Sequence, residues 1–457
     1  MNSKNKITFI SKEGSIEKNI YCPVCASEQK SSLFAKVPHP DHSGFLSVFE
    51  CSFCMSYIYE DIYRVGYLEI PTQEEKSGTM HYCLIGCGTE FGINILSRLY
   101  DKDSPKTLLE VGCGFGYNLS YWESFKKQKA TGLEKAKYGL HGRKELNVNI
   151  LPKYLDEIKN KKVYDIVLST EVIEHVEDPL LFLKQALQAL KNNGILVFTT
   201  PSRDSVIKNI NNPAMLRAIL SPGYHEFVIS KEGIKNLLKK LGINNYKIEE
   251  DGNHFITYAS KSKNVLTKIK HKADADEHHN YLKFLVENNT GIVHEGALYR
   301  YFKNLVNKGL YEEAQIYYAK ILKLLSQKYK LSLNLLYKPE PHEDDFIRRL
   351  PPYLGPFFYY AGILHSHHIE DLKDRCMFFS LAVNFLKSTI ASAPNFSQEA
   401  ASLIHEAEIQ LVNVCRDIQV DYLHNNPQFE NKNKNKNKNK NKNFVKNFKK
   451  LIKRFIG

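Results

Sequence analysis

Gly112, Gly114 and Gly116 follow directly on the apolar run "TLLEV" and lead into a stretch with apolar residues at helical spacing. A loop of this kind lets the chain turn tightly between strand and helix, and lets the backbone approach a ligand at the helix N-terminus. The same rhythm repeats downstream. "KATGLE", "YDIVLST" and "GILVFTTP" are short apolar runs, while 117–127 and 179–190 show helical periodicity. Strands alternating with helices predict an α/β domain over about residues 107–260, its parallel sheet covered on both faces. The dinucleotide fingerprint needs a third glycine where Tyr117 stands, so the loop argues against a nicotinamide or flavin site.

A carboxylate able to accept hydrogen bonds from two ribose hydroxyls is expected at the end of the second strand. Glu134 stands there, 18 residues beyond Gly116. The segment Glu110-Val-Gly112-Cys-Gly114-Phe-Gly116, Glu134 and the run "YDIVLSTEVIEHVEDPLLFLKQALQALKNNGILVFTTP" together resemble the class I S-adenosylmethionine-dependent methyltransferases over about 107–258. The resemblance implies a Rossmann-like methyltransferase domain, S-adenosylmethionine as cofactor, and cofactor contacts at Glu110, Gly112, Gly114, Gly116, Glu134, Tyr154, Leu155 and Thr170. That family usually places an acidic residue beside the adenine after the third strand. Here "ILPKYLDEI" puts Lys153 and Tyr154 there with Asp156 two residues late, so Tyr154, Leu155 and Asp156 all stand as candidates for that contact.

Methyl transfer is an in-line displacement in which positioning supplies much of the rate, and a base is needed only where the accepting atom holds a proton. His175 and His225 are the candidate catalytic bases. The segment "PGYHEFVISKEGIKNLLKKLGI" is similar to one in the sugar C-methyltransferases and their relatives, which implies a site role for His225. The structural alternatives are that His175 holds a loop and that His225 caps the surface beside Glu226. The triplet Glu171, Glu174 and His175 also resembles one in the ubiquinone O-methyltransferases and small-RNA 2′-O-methyltransferases, where such residues hold a divalent cation that lowers a hydroxyl's pKa. With His225 it makes four N/O ligands, although a Glu-His pair at this place is widespread in methyltransferases without metal.

Cys22-Pro-Val-Cys25 and Cys51-Ser-Phe-Cys54 form two CxxC knuckles, the spacing that suits four thiolates around one zinc ion. Four thiolates close the coordination sphere, so this zinc is expected to be structural. A four-cysteine module ahead of a methyltransferase domain resembles the nucleotide-sugar C-methyltransferases, in which it helps build the substrate site. Cys83, Cys87, Cys113, Cys376 and Cys415 are scattered and read as structural.

At 457 residues the chain is long enough for two or three folded units. The expected divisions are a zinc-binding module at 1–60, a connecting helical segment at 61–106, the methyltransferase domain at 107–260, a linker at 261–290, an all-α domain at 291–425, an Asn/Lys linker at 426–443 and a basic amphipathic helix at 444–457. "KGLYEEAQIYYAKIL" resembles one tetratricopeptide unit, but further copies are missing. His365, His367 and His368 read as partly exposed helix residues.

No run of about 18 apolar residues or signal peptide is evident, which predicts a cytoplasmic protein. The net charge is +13, yet eleven basic and no acidic residues lie in 431–457, which leaves +2 for residues 1–430. A nearly neutral body argues against nucleic acid as a partner. The C-terminal helix sets Phe444, Phe448, Leu451 and Phe455 against a lysine-rich face and suits peripheral attachment to an anionic membrane surface. Taken with the cysteine module, this predicts a sugar-containing small molecule or polysaccharide precursor as methyl acceptor. An RNA methyltransferase, or an inactive scaffold of the same fold, is the rival reading.

Overall fold

The structure is a computed structural model that describes residues 7–11, 15–39, 44–61, 81–86, 88–158, 162–333, 350–367, 372–392 and 398–424. The Asn/Lys tract and the amphipathic segment at 444–457 lie outside the described residues, as do Cys87 and His368. The chain forms two compact units, one of Met1–Tyr82 with Cys87–Tyr281, the other of Cys83–Gly86 with Leu282–Gly457.

The larger sheet of the first unit has seven strands: β6 (Leu108–Val111), β7 (Ala130–Leu133), β8 (Ile150–Leu151), β9 (Tyr164–Thr170), β10 (Leu190–Pro201), β12 (Asn245–Asp251) and β13 (His254–Ser260). Their order is β12-β13-β10-β9-β6-β7-β8. The five from β8 to β10 run parallel, and β13 lies antiparallel to β10 with His254 opposite Pro201. The chain order reverses between β6 and β9, the switch point at which ligands bind beyond the carboxyl ends of parallel strands. The central strands are buried on both faces, and Leu108, Leu109, Ile166, Val167, Leu168, Leu196, Val197 and Phe198 are fully shielded. That burial explains why they read as continuous apolar runs rather than alternating ones.

The remaining strands are β1 (Thr8–Phe9), β2 (Glu17–Cys22), β3 (Ser27–Pro38), β4 (Phe45–Cys51), β5 (Tyr57–Tyr59) and β11 (Phe227–Val228). They make a second, antiparallel sheet in which β2 pairs with β3 and the rest run β1-β3-β4-β5-β11. The cysteine module expected at 1–60 therefore shares its sheet with residues that follow His225. Its interior is continuous with that of the larger domain, since Cys22, Val24, Cys25, Cys51 and Cys54 share one apolar core with Ile234, Leu237 and Leu238.

Local sequence sets the helix starts around the site. Asp178, Ser202 and Ser230 each accept a hydrogen bond from a first-turn amide, of Leu181, Ser205 and Gly233 respectively. The stretch expected as a linker at 261–290 is helical from Glu277 to Asn288. Its first turn is tied down by Tyr121 and Lys126 on the Glu277 carboxylate and by the Tyr281 hydroxyl on the Tyr117 carbonyl. Beyond this polar first turn Tyr281, Leu282 and Leu285 are buried, an apolar spacing hidden in sequence by the charged stretch before it.

The second unit is helical, with Gly291–Asn307, Tyr311–Tyr329, Leu354–His365, Leu372–Ser392 and Gln398–His424 as its long helices. Buried Glu295 accepts hydrogen bonds from Tyr329, Tyr353 and Lys328, so its charge is compensated. His365 is half-buried against Phe378 and Tyr318, and His367 stacks on Tyr311. No described helix is long and apolar enough to cross a membrane.

The helix Lys137–Leu146 lies so close to the glycine loop that a Cβ on Gly142 would stand 1.8 Å from the Phe115 carbonyl oxygen. Gly142→Ala is expected to destabilise the first unit by about 2–3 kcal/mol, read as a lowered midpoint in thermal or urea unfolding.

Candidate functional site

The glycine loop is built for close approach. Gly112, Gly114 and Gly116 have φ of 70°, 55° and 91°, left-handed values that favour glycine. A Cβ on Gly112 would collide with Val172 at 2.5 Å and one on Gly116 with Ile150 at 2.9 Å, so these two serve packing. At Gly114 a Cβ would meet only Tyr82, at 3.7 Å, so this position opens onto free space.

Glu134 ties the loop to the next strand end. One carboxylate oxygen accepts from the Gly114 amide at 3.0 Å and the other from the Ala136 amide at 2.9 Å. Burial pushes its carboxyl up, while the amides of Ala136, Gly114 and Lys135 favour the anion. Each oxygen keeps a second lone pair for a ligand hydroxyl. Glu110 is almost wholly buried, and that burial raises its carboxyl to about 8. One of its oxygens accepts from Asn118 at 2.7 Å and the other has no partner. Thr170 ends β9. Of the adenine candidates, Leu155 is buried and Tyr154 is exposed beneath the Lys135 ammonium, 4.9 Å from its ring. An open cradle at Gly114, a two-amide anchor at Glu134 and an orphaned Glu110 oxygen together fit the S-adenosylmethionine expected from the sequence.

A second constellation lies past the ends of β9 and β10. Nδ1–H of His175 donates to the Tyr224 carbonyl at 2.7 Å and Nδ1–H of His225 donates to the Ile219 carbonyl at 2.9 Å. These bonds fix both tautomers and set each Nε2 at 3.9 Å from the same oxygen of Glu174. The rings meet edge-on at 4.7 Å. Burial lowers both histidines, His225 the more strongly, and raises the Glu174 carboxyl well above its ordinary range. Neither Glu174 oxygen meets hydrogen-bond geometry, although the Thr200 hydroxyl is near enough to favour its anion. Two imidazoles with fixed outer nitrogens and an unpartnered buried carboxylate form a ligand set suited to a divalent cation.

Glu171 does not join this set, contrary to the ligand triplet expected from sequence. Its backbone is left-handed at φ 55°, its amide bonds to Thr199, and its carboxylate is taken up by the Thr199 hydroxyl at 2.7 Å and by His254 Nδ1 at 3.0 Å. His225, the fourth ligand expected from sequence, does join Glu174 and His175. Glu226 does not leave His225 at the surface either: its amide bonds to the Glu174 carbonyl at 2.7 Å, and His225 is 9 % exposed. His254 was invisible to motif reading, because it lies at the start of an antiparallel strand with no patterned neighbour.

The four cysteines converge. Cys22 and Cys54 sulfurs are 3.7 Å apart and those of Cys25 and Cys51 are 3.8 Å apart, with all four buried within 4.8 Å of one another. Zinc–thiolate bonds of about 2.3 Å give a tetrahedron with edges of about 3.8 Å, so the cluster fits a closed zinc site. Each knuckle is followed by a left-handed residue, Ala26 or Met55, at which the chain turns away into the next strand.

Residues 90–248 match the family described as a methyltransferase domain. Among curated proteins, the chain is 29% identical over 136 residues to a ubiquinone biosynthesis O-methyltransferase of Rickettsia canadensis, covering 28% of this chain and 55% of that protein. It is 30% identical over 148 residues to a tRNA U34 carboxymethyltransferase of Haemophilus ducreyi, covering 31% of this chain and 46% of that one. The chain thus spans about half the length of the curated relatives it matches. Among solved structures, the plantazolicin methyltransferase BpumL in complex with SAH is 16% identical, with a TM-score of 0.34, over 43% of this chain and 93% of that one. Residues 90–248 thus carry a methyltransferase domain on a Rossmann-like sheet, accompanied by a buried four-cysteine cluster and a helical C-terminal region. The relatives named are not sugar enzymes, so the sugar acceptor expected from the sequence rests on its cysteine module and tail.

Elemental analysis is expected to find one zinc per chain bound by this cluster. Cys54→Ser or chelation should remove it and lower the melting midpoint by roughly 10 °C or more, because the ion's binding energy is folding energy.

Proposed function

We propose, from a chain that carries a class I methyltransferase domain, that this protein transfers a methyl group from S-adenosylmethionine to a hydroxyl oxygen of a sugar-containing acceptor. The observation that carries the oxygen reading is the Glu174 carboxylate, buried without a hydrogen bond and faced by the Nε2 atoms of two histidines. A cation held by nitrogen and oxygen ligands of this kind would make a hydroxyl that reaches it more acidic, which suits an oxygen acceptor. The sugar assignment follows from the four-cysteine module and the basic tail, and a polyhydroxylated acceptor is consistent with it.

In this reading the Gly114 backbone lines the cofactor cradle and Glu134 accepts from the ribose hydroxyls. Leu155 and Tyr154 flank the adenine, Thr170 and Glu110 border the methionine end, and Gly112 and Gly116 keep the loop closed against Val172 and Ile150. His175, His225 and Glu174 hold the divalent cation. When bound, S-adenosylmethionine supplies an electrophilic methyl on sulfur, and a cation at Glu174 lowers the pKa of a hydroxyl that reaches it. Cys22, Cys25, Cys51 and Cys54 hold a structural zinc, as expected for the module at 1–60. The tail at 444–457 keeps the enzyme at the inner face of an anionic membrane, where polysaccharide precursors are assembled.

Calorimetry with S-adenosylmethionine tests the reading. The wild-type chain should bind, and Glu134→Ala should lose affinity by about 10- to 100-fold, the worth of a charge-assisted hydrogen-bond pair. With cofactor carrying a labelled methyl, label should pass to nucleoside diphosphate sugars and not to RNA. No binding by the wild type would leave the inactive scaffold standing, and label on RNA alone would replace the sugar acceptor.

A further inference from the structure

We propose that Glu171 and His254 form a catalytic dyad in which His254 Nε2 takes the proton of the acceptor hydroxyl and Glu171 positions the imidazole. The proposal rests on the methyl-transfer reading above and adds to it a base that neither the sequence motif nor the buried histidines supply.

Position comes first. His254 opens β13 opposite Pro201, the last residue of β10, so it stands at the carboxyl edge of the parallel strands, the edge that also carries the glycine loop and Glu174. Its Nδ1 is 3.0 Å from Glu171, which directs Nε2 away from that carboxylate. The His254 side chain is 36 % exposed, against 22 % for His175 and 7 % for His225, so of the three it is the ring most open to an acceptor. On its other side the Phe91 ring lies 5.4 Å away and limits its swing.

Glu171 is held for this purpose at a cost. A glutamate at φ 55° is strained, and such strain persists only where surrounding bonds fix it. Here the Glu171 amide bonds to the carbonyl and hydroxyl oxygens of Thr199, both at 3.2 Å, while the Thr199 hydroxyl donates to the carboxylate. The remaining carboxylate oxygen has His254 as its partner.

The three histidines then divide the chemistry. His225 is buried and His175 half-buried, their Nδ1–H groups bonded to carbonyls, and burial lowers both below the ordinary imidazole value. Burial also acts to lower His254, but the hydrogen bond and charge of Glu171, with the charge of Asp251 on β12, outweigh it and leave the imidazole above its ordinary value. The charged and titratable groups that face it are Glu171, Asp251 and, more distantly, His225. In the step itself the acceptor oxygen forms its bond to the methyl carbon as the carbon–sulfur bond breaks, and the electron pair of that bond stays on sulfur. The hydroxyl proton passes to Nε2 and later to solvent, so the positive charge lost from sulfur appears on the imidazole.

Two readouts on the full-length chain test the dyad. With labelled cofactor and a mixture of nucleoside diphosphate hexoses, His254→Gln should bind S-adenosylmethionine as the wild type does yet lose kcat by about 100-fold or more. The inflection on the acid side of its pH profile should vanish, and added imidazole should restore part of the rate. Glu171→Gln should keep activity but move that inflection to lower pH, because the charge that favours imidazolium is gone. NMR titration of the His254 ring reads the same pair without an acceptor: its pKa should lie above about 6.5 and fall in Glu171→Gln. The dyad is overturned if His254→Gln keeps the wild-type rate and pH profile, or if the His254 titration is unmoved by Glu171→Gln. Failure of the wild type to bind cofactor would instead overturn the methyl-transfer reading on which the dyad rests.

Discussion

The short pairing of β5 with β11 fixes the segment that carries His225. Phe227 and Val228 pair antiparallel with Ile58 and Tyr57, three residues past the last cysteine of the cluster. Around that pairing the Ser230 amide bonds to Ser56, the Ser230 hydroxyl to the Cys54 carbonyl, and the Tyr59 hydroxyl to the Leu220 carbonyl. His225 sits between these anchors, two residues before β11. A strand of two residues cannot hold a loop by itself, so the anchor also depends on these hydrogen bonds and on the apolar core that the four cysteines share with Ile234, Leu237 and Leu238.

From there the geometry follows the strand ends. The large sheet presents the carboxyl ends of β6, β9 and β10 along one edge, and each end carries a different task. Past β6 comes the open glycine at Gly114, past β9 come Glu171, Glu174 and His175, and opposite the end of β10 stands His254. Only His225 comes from outside this edge, and it is brought in by the cysteine module. A module that looks separable in sequence is therefore part of the site's frame.

Much of this was legible from local sequence. The glycine loop, Glu134 and the two CxxC knuckles announce themselves because their chemistry depends on spacing within one short segment. Glu174, His175 and His225 were legible through resemblance. Spacing groups Glu171 with Glu174 and His175, but it says nothing of Thr199 and His254, distant in sequence, which engage the Glu171 carboxylate. His254 was missed because its partner is 83 residues away. The strand Phe227–Val228 is too short for periodicity, and the start of the helix Glu277–Asn288 is fixed by Tyr121 and Lys126 on Glu277, so both depend on tertiary partners that no pattern records.

Hydrogen exchange measured before and after removal of zinc tests most directly whether the cysteine module frames the site. With the ion gone, residues 225–230 should lose protection together with 45–59, while Ala130–Leu133 in the large sheet keeps its own. If 45–59 open and 225–230 stay protected, His225 is held by the methyltransferase domain alone and the module does not frame the site.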